Sequence, residues 1–194
     1  MKIIILIIML VLSMCSLTWA GFKEATDAFE RGDSKTALKE FGALAEKNDP
    51  RGQYGLGIMH DLGEGVPQNS ELAFKWYKLS AEQGYADAQN NLGAMYGNGE
   101  GVSLNYEESM RWYRSAAELG NKDAPNNIGV IYMTGVGAPR DFVKAYMWFS
   151  IAGGDPAAVS NKKFLLRRLS QEEVAQAENM AQEWLKIRNQ NKAN

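Results

Sequence analysis

The chain has 194 residues, which is enough for one compact domain or a short array of repeats. Its 21 basic and 23 acidic residues give a net charge of −2, and this near-neutral balance argues against a nucleic-acid-binding protein with a strongly basic face. Cys15 is the only cysteine and lies in the amino-terminal segment that the sequence predicts to be removed, so disulfide bonds and cysteine-ligated metal sites are excluded from the mature chain.

The first twenty residues have the pattern of an export signal. A basic start precedes the apolar run 3–11, and small residues at Thr18 and Ala20 lead to Gly21. This order is typical of a secretory signal peptide that is removed after residue 20. The alternative is an uncleaved membrane anchor, because residues 3–20 are uncharged and just long enough to span a bilayer. We therefore expect an exported protein, periplasmic or secreted.

A short helix is predicted next, over residues 21–32. Phe22, Ala25 and Phe29 lie on one helical face, and Gly32 ends the pattern. Because the sequence predicts no second helix to pair with this one in a hairpin, we expect it to cap the amino-terminal end of the structure that follows.

From residue 33 onward, residue types recur every 36 positions without an insertion. Trp76, Trp112 and Trp148 share one position of the period, and glycines share three others. These glycines are Gly57, Gly93 and Gly129, then Gly63, Gly99 and Gly135, then Gly65, Gly101 and Gly137. A fixed period of this length is the signature of a stacked repeat array.

Each period is predicted to hold two helices. The first begins at an N-cap, which is Asp33, Asn69, Asn105 or Asp141, because these side chains can accept a hydrogen bond from a free amide of the first turn. Glycines such as Gly84 end it. The second helix opens at a cap such as Asp49-Pro50 or Asn121. Two amphipathic helices that cannot bury their faces alone predict stacked helical hairpins.

The pattern changes near the carboxyl end. Residues 156–169 predict a longer partner helix, and Ser170 with Glu173 forms a capping box that opens a final helix. The sequence contains no strand signal, so the predicted fold is all-α. The predicted organisation is a signal peptide over 1–20, a capping helix over 21–32, about four helical hairpins over 33–169, a second capping helix over 170–189 and a disordered tail over 190–194.

The repeated motif also resembles a known family. Its order is Ala-x-x-Trp-Tyr-x-x-x-Ala-Glu-x-Gly, then Ala-x-x-Asn-Leu-Gly-x-Met-Tyr-x-x-Gly-x-Gly-Val. It is complete over 73–105, nearly complete over 109–141 and looser over 37–69. This is similar to the Sel-one-like repeat of the tetratricopeptide superfamily. The resemblance implies a right-handed α-solenoid that acts as a protein-interaction adaptor, and exported bacterial members often act in envelope assembly, signalling or host contact.

The resemblance further implies a binding groove, lined by the second helix of each hairpin. Asn91 and Asn127 resemble asparagines that hold the backbone of a bound peptide in that superfamily; the alternative is that they bond neighbouring helices. The groove has an apolar floor and an acidic rim, without the basic pairs of a terminal-carboxylate clamp. The groove positions transferred to this chain are Arg51, Tyr54, Ile58, Asp87, Asn90, Asn91, Ala94, Asp123, Asn126, Asn127 and Val130.

Few residues suggest catalysis. His60 is the only histidine and takes a position that holds tyrosine in two other copies, so a packed aromatic substitute is favoured over a general base beside Asp61. Ser160 and Lys163 match a Ser-x-x-Lys pattern, but the other elements of penicillin-recognising enzymes are missing. The Gly-x-Gly loops have no preceding strand, so turn geometry is favoured over phosphate binding.

Two surface features have alternative interpretations. The three repeat tryptophans suit either a packed core or an aromatic ladder for sugars or prolines, and their neighbouring aromatic residues favour the core. Lys162, Lys163, Arg167 and Arg168 form a basic cluster, which suits either solvated charges near a helix end or contact with anionic lipid or an acidic partner.

We therefore predict a monomeric, non-enzymatic adaptor of the bacterial cell envelope that binds a protein segment in its groove. No catalytic residue, metal, cofactor or nucleic acid is predicted. One alternative is a periplasmic regulatory inhibitor of a signalling or sensor protein. The other is an envelope hydrolase or β-lactam-binding protein.

Overall fold

A computed structural model describes residues 20–193. The predicted signal peptide lies outside the described residues except for Ala20, and so does Asn194. Residues 20–193 form ten helices and no strand, which confirms the all-α prediction. Helix α1 includes residues 20–30. The others are α2 (Ser34–Ala45), α3 (Pro50–Leu62), α4 (Ser70–Glu82), α5 (Ala86–Asn98), α6 (Tyr106–Leu119), α7 (Ala124–Thr134), α8 (Phe142–Ala152), α9 (Pro156–Leu165) and α10 (Gln171–Ala193).

The predicted N-caps open the first helix of all four hairpins. The side chains of Asp33, Asn69, Asn105 and Asp141 each accept a hydrogen bond from the backbone amide three residues later, at 2.9–3.1 Å. Each bond satisfies one of the amides that the first turn leaves without a partner. The first helix of each hairpin therefore begins 36 residues after the first helix of the hairpin before it.

Glycine in the second helix of a hairpin lets the next helix approach closely. A Cβ atom placed on Gly57, Gly93 or Gly129 would lie 2.5–2.8 Å from the nearest ring atom of Tyr77, Tyr113 or Phe149, respectively. These contacts join α3 to α4, α5 to α6 and α7 to α8. Since ordinary van der Waals contacts begin near 3.4 Å, no other residue type fits without movement of the ring.

The chain divides into two compact units, the first ending at Ala88 and the second beginning at Gln89. In the first unit, Ala25, Ala37, Phe41 and Met59 are buried in a core that α1, α2 and α3 share. Polar side chains also link its hairpins, since the Ser80 hydroxyl donates to the Pro50 carbonyl at 2.7 Å.

The second unit has a larger core, to which α8 contributes more buried residues than any other helix. Five consecutive residues of α8, from Ala145 to Phe149, are buried, and Phe149 is inaccessible to solvent. Helix α10 packs on α8, where the rings of Trp148 and Trp184 meet edge to face with centroids 5.2 Å apart. None of the helices within residues 20–193 is long and apolar enough to cross a membrane.

Two helix ends differ from the sequence prediction. Helix α9 ends at Leu165 instead of Leu169, because the chain tightens into a turn in which the Arg168 amide bonds the Leu165 carbonyl at 2.8 Å. Helix α10 continues to Ala193, through the segment predicted as a disordered tail. Its last turn is held because the Lys192 ammonium donates to the Leu119 carbonyl at 3.1 Å.

Candidate binding surface

The eleven groove positions lie on or next to the second helices of the hairpins, as the sequence predicts, but they fall in both units. Arg51, Tyr54, Ile58 and Asp87 belong to the first unit. The other seven, on α5, on α7 and just before α7, belong to the second. Each group is therefore a separate candidate surface.

In the first unit, the charge of Arg51 is already paired. Its Nη2 atom lies 2.6 Å from Asp49 Oδ2 and its Nε atom 3.0 Å from Asp49 Oδ1, while the guanidinium lies 5.1 Å from the ring centroid of Phe22. Burial opposes ionisation of Asp49, but the hydrogen bonds from Arg51 outweigh burial and lower the pKa of that carboxyl. Arg51 therefore stabilises the start of α3, whether or not it also contacts a ligand.

The neighbouring positions of the first unit are aromatic and apolar. The ring of Tyr54 lies between those of Tyr77 and Tyr85, at centroid distances of 5.8 and 5.0 Å. Burial and the carboxylate of Asp87 raise the pKa of Tyr85. Tyr54 and Ile58 also line a small apolar cavity of about 110 Å³. The remaining lining residues, which the transferred pattern missed, are Phe22, Thr26, Phe29, Glu30, Phe41 and Gly55.

In the second unit, two asparagines bond each other across neighbouring helices. The Nδ2 atom of Asn127 on α7 donates to Oδ1 of Asn90 on α5 at 3.0 Å, and both side chains are half-buried. The alternative interpretation, that these asparagines bond neighbouring helices, therefore holds for Asn127, whose partner on the neighbouring helix is Asn90. Asn91, which the period makes equivalent to Asn127, is half-buried on α5.

The asparagine pair keeps unused hydrogen-bonding groups. Within residues 20–193 no other hydrogen bond involves the side chains of Asn90 and Asn127, so the amide nitrogen of Asn90 and the carbonyl oxygen of Asn127 remain unused, and the Asn127 amide keeps its second N–H. Asn126 adds a further polar atom, because its Oδ1 is buried without a hydrogen-bond partner in the same range. A buried acceptor in that state costs about 1–3 kcal/mol.

A cleft of about 180 Å³ adjoins this pair and is lined by both Asn127 and Val130. Tyr113 contributes to the wall, and burial raises the pKa of its hydroxyl to about 12, so this hydroxyl stays protonated. The sequence argument missed part of the lining because it used only the transferred groove positions, which include no first-helix residue and not the last turns of α5 and α7. The residues it missed are Gly97, Asn98, Tyr106, Ser109, Tyr113, Ile131, Thr134 and Val136.

The apolar and acidic positions of the second unit follow the predicted division. Ala94 and Val130 are half-buried and pack against the larger core, while Asp123 is exposed. Asn121, rather than Asp123, caps α7, since its Oδ1 accepts from the amides of Asp123 and Ala124 at 3.0 and 2.8 Å. Asp123 is therefore available to a ligand at the edge of the surface.

The residues considered for catalysis do not form a recognisable site. Asp61 accepts a hydrogen bond from the Tyr77 hydroxyl at 3.3 Å, and the Nδ1 atom of His60 is buried without a hydrogen-bond partner within residues 20–193. Ser160 and Lys163 are exposed on α9. In the described part of the chain no three His, Cys, Asp or Glu side chains are grouped to hold a metal ion.

The repeat tryptophans pack in the cores and are not exposed on a binding surface. Trp112 and Trp148 are 8% and 5% exposed, and Trp76 packs against the core of the first unit. This burial favours the core interpretation over an aromatic ladder.

Comparison with known families identifies the repeat. The profile described as Sel1 repeat matches residues 50–85, 86–121 and 123–153, more than half of the chain. The chain belongs to the Sel1 repeat family. Each match pairs the second helix of one hairpin with the first helix of the next, which is the pair that the glycine–aromatic contacts join. The resemblance read from the sequence is thereby confirmed.

Solved structures agree with this assignment. A Sel1 repeat protein from Oxalobacter formigenes is 31% identical with a TM-score of 0.67, over 74% of this chain and 60% of that chain. The protein c5321, a protective antigen present in uropathogenic Escherichia coli strains and displaying an SLR fold, is 29% identical with a TM-score of 0.51, over 87% of this chain and 45% of that one. This chain thus spans less than two thirds of either.

A third similar structure is Helicobacter pylori cysteine rich protein B (hcpB). It is 22% identical with a TM-score of 0.51, over 66% of this chain and 93% of that chain, and at this identity it shows the fold alone. A comparison with curated proteins gives no match. Sel1 repeat proteins are generally scaffolds that bind other proteins, and the fold is typically non-enzymatic. The chain is accordingly an α-solenoid protein of this family.

Proposed function

We propose that this protein is a non-enzymatic adaptor of the bacterial cell envelope that binds an extended protein segment on the α5–α7 surface of its second unit. The asparagine pair carries the proposal. Asn90 uses only one N–H of Asn127, so the pair offers the whole amide NH2 of Asn90 as a donor and the carbonyl oxygen of Asn127 as an acceptor. A peptide unit presents the complementary carbonyl and N–H groups, so an extended backbone can bond both side chains without a sequence requirement.

The surroundings of the pair suit a polypeptide better than a small polar ligand. Ala94 and Val130 supply apolar contact beside the amides, and the cleft next to Asn127 is walled by tyrosines 106 and 113. Asp123 adds a negative charge at the edge, which favours segments with a basic residue. Backbone bonds would provide general affinity, and the cleft would select one side chain.

The envelope location is part of the proposal and rests on the export pattern of residues 1–20. The structural relatives named above come from bacteria, which supports the bacterial part of the proposal. In the first unit, Tyr54 and Ile58 offer a second, apolar contact region through their small cavity. We expect a monomer that engages one protein partner.

The test uses the chain from Gly21 onward as bait for solubilised envelope proteins. Asn90→Ala/Asn127→Ala removes the bonded pair, and Asn179→Ala/Asn189→Ala removes two exposed asparagines of α10 as a matched control. We expect a partner that the wild type and the control retain and that the pair variant loses, with all three showing the same helical circular dichroism. Retention by the pair variant would exclude the α5–α7 surface.

A further inference from the structure

Helix α9 and the turn after it expose large apolar side chains beside cations. Val159, Phe164 and Leu166 are 37%, 45% and 49% exposed, although each could contribute to a core if it pointed inward. Lys163, Arg167 and Arg168 are exposed in the same stretch. We call these six residues the basic–apolar surface.

The helical members of this surface, Val159, Lys163 and Phe164, are turned away from the buried face of α9. Ala158 and Leu165 are fully buried, so they define the inward face of α9. Val159 and Lys163 are four residues apart and therefore neighbours on the opposite face, which the exposed turn continues. Five of the six residues lie within the stretch 163–168, where Arg168 contacts Phe164, and Val159 adjoins Lys163.

Arg168 and Phe164 form a unit within this surface. The Arg168 guanidinium carbon lies 3.6 Å from the ring centroid of Phe164, and its Nη1 atom donates to the Phe164 carbonyl at 3.1 Å. Stacking covers one face of the ring and holds the cation beside it. On the flank, the ammonium of half-buried Lys162 lies 4.7 Å from the ring of Tyr146 and adds a fourth positive charge.

Nearby acidic groups do not neutralise these cations. Asp155 caps α9 at its far end, where its side chain accepts from the Ala158 amide. Glu173 is used by the capping box of α10, in which it accepts from the Ser170 amide at 2.8 Å, and Glu172 lies beside it. Within residues 20–193, none of the three exposed cations is ion-paired to a carboxylate, so the surface keeps its positive charge.

We propose that the basic–apolar surface docks the protein peripherally on an anionic phospholipid bilayer. Stable attachment of a protein to a bilayer surface uses two signals: charge attraction to head groups and burial of apolar side chains at the boundary with the acyl chains. This surface supplies both, and a fluid interface can accept Phe164 and Leu166 without a complementary pocket. Nucleic acid would engage the cations and leave these apolar side chains in water.

The expected effect follows from the charges. Each basic residue near an anionic membrane strengthens binding by about 1 kcal/mol, or about fivefold. Arg167→Glu/Arg168→Glu therefore lowers partitioning onto anionic vesicles by at least about 25-fold. The matched control, Lys75→Glu/Lys78→Glu, makes the same charge change on exposed lysines of α4, in the first unit.

The test is co-sedimentation with vesicles of phosphatidylcholine alone or mixed with phosphatidylglycerol. It is run on the full chain and on a chain that starts at Gly21, so that any contribution of residues 1–20 is separated. We expect preferential binding to the phosphatidylglycerol vesicles, weakened by salt, lost in Arg167→Glu/Arg168→Glu and kept in the α4 control. Phe164→Ser/Leu166→Ser should weaken binding while leaving the preference for anionic vesicles.

Three outcomes would overturn the proposal. The first is no preference for phosphatidylglycerol in either chain, and the second is equal loss in the arginine variant and the α4 control. The third is binding of polyglutamate, but not of vesicles, that depends on Arg167 and Arg168. That result would make the surface a site for an acidic polypeptide instead.

Discussion

Replacing Gly129 by alanine tests why the repeat places glycine inside its second helix. The added Cβ atom would lie 2.5 Å from Cε1 and 2.6 Å from Cδ1 of Phe149. That ring is inaccessible to solvent, so it cannot swing away into water. Overpacking of a core costs about 1–3 kcal/mol, and alanine returns about 0.5–1 kcal/mol because it favours the helix over glycine. An overlap at 2.5 Å places the overpacking cost in the upper part of its range, at about 2–3 kcal/mol, and subtracting about 1 kcal/mol for the helix gives an expected loss of about 1–2 kcal/mol.

The assay is urea and thermal unfolding followed by circular dichroism. For a chain of this size, the expected loss lowers the melting temperature by about 2–8 °C. Gly42→Ala is the matched control, because no atom lies within 4 Å of a Cβ placed on that helical glycine. It should instead gain about 0.5–1 kcal/mol.

A double-mutant cycle separates the contact from general helix effects. In a Phe149→Leu background, which removes the ring, Gly129→Ala should lose most of its cost, so the two substitutions should not add. Equal or greater stability of Gly129→Ala in the wild-type background would refute the reasoning, because the glycine would then have no packing role.

Three further predictions concern caps and charges. Asn105→Ala removes the N-cap of α6 and should cost about 1 kcal/mol in urea unfolding, whereas Asn105→Asp should keep the stability. Because folding lowers the pKa of Asp49, the ionised carboxylate contributes to the free energy of unfolding above about pH 4, and this contribution is lost as pH falls below that value. The Asp49→Asn variant should therefore be less stable than the wild type at neutral pH and show a shallower acid transition. Lys192→Met should speed hydrogen exchange in the last turn of α10, since it removes the bond to Leu119, and unchanged exchange would contradict this.

Much of the fold could be predicted because it depends on short-range patterns in the amino-acid sequence. An N-cap such as Asn69 bonds the amide three residues later, so a local pattern is enough to locate the helix start. The glycine–aromatic contacts are also regular, because Gly57 and Tyr77 recur one period later as Gly93 and Tyr113. Because this contact between helices recurs in each repeat, it can be recognised as a pattern in the sequence.

The helix ends near the carboxyl terminus could not be predicted in the same way. Residues 190–194 are polar and lack a hydrophobic stripe, which is typical of a frayed tail. The helix through residues 190–193 is held by Lys192, whose partner carbonyl is on Leu119, 73 residues earlier. A bond of that separation depends on how α10 lies against α6, and no local pattern encodes it.

The candidate binding surface could be predicted from the sequence only in part. The period made Asn91 and Asn127 equivalent, but the structure pairs Asn127 with Asn90. Contacts between neighbouring helices depend on their crossing geometry and on side-chain direction, so positions that are equivalent in the repeat need not meet. The cleft lining at Tyr106 was missed for a related reason, since a residue of a first helix contributes to it.

The central claim, that the α5–α7 surface binds a protein segment, is tested most directly by photo-crosslinking. A photoreactive amino acid is placed at Asn91, next to the asparagine pair, and in a separate chain at the exposed Lys75 of α4. Both chains are irradiated in intact envelopes. The account predicts a defined protein adduct from position 91 that is absent from position 75 and that disappears when Asn90→Ala/Asn127→Ala is added. An adduct from position 75 alone, or one from position 91 that survives the pair variant, would contradict it.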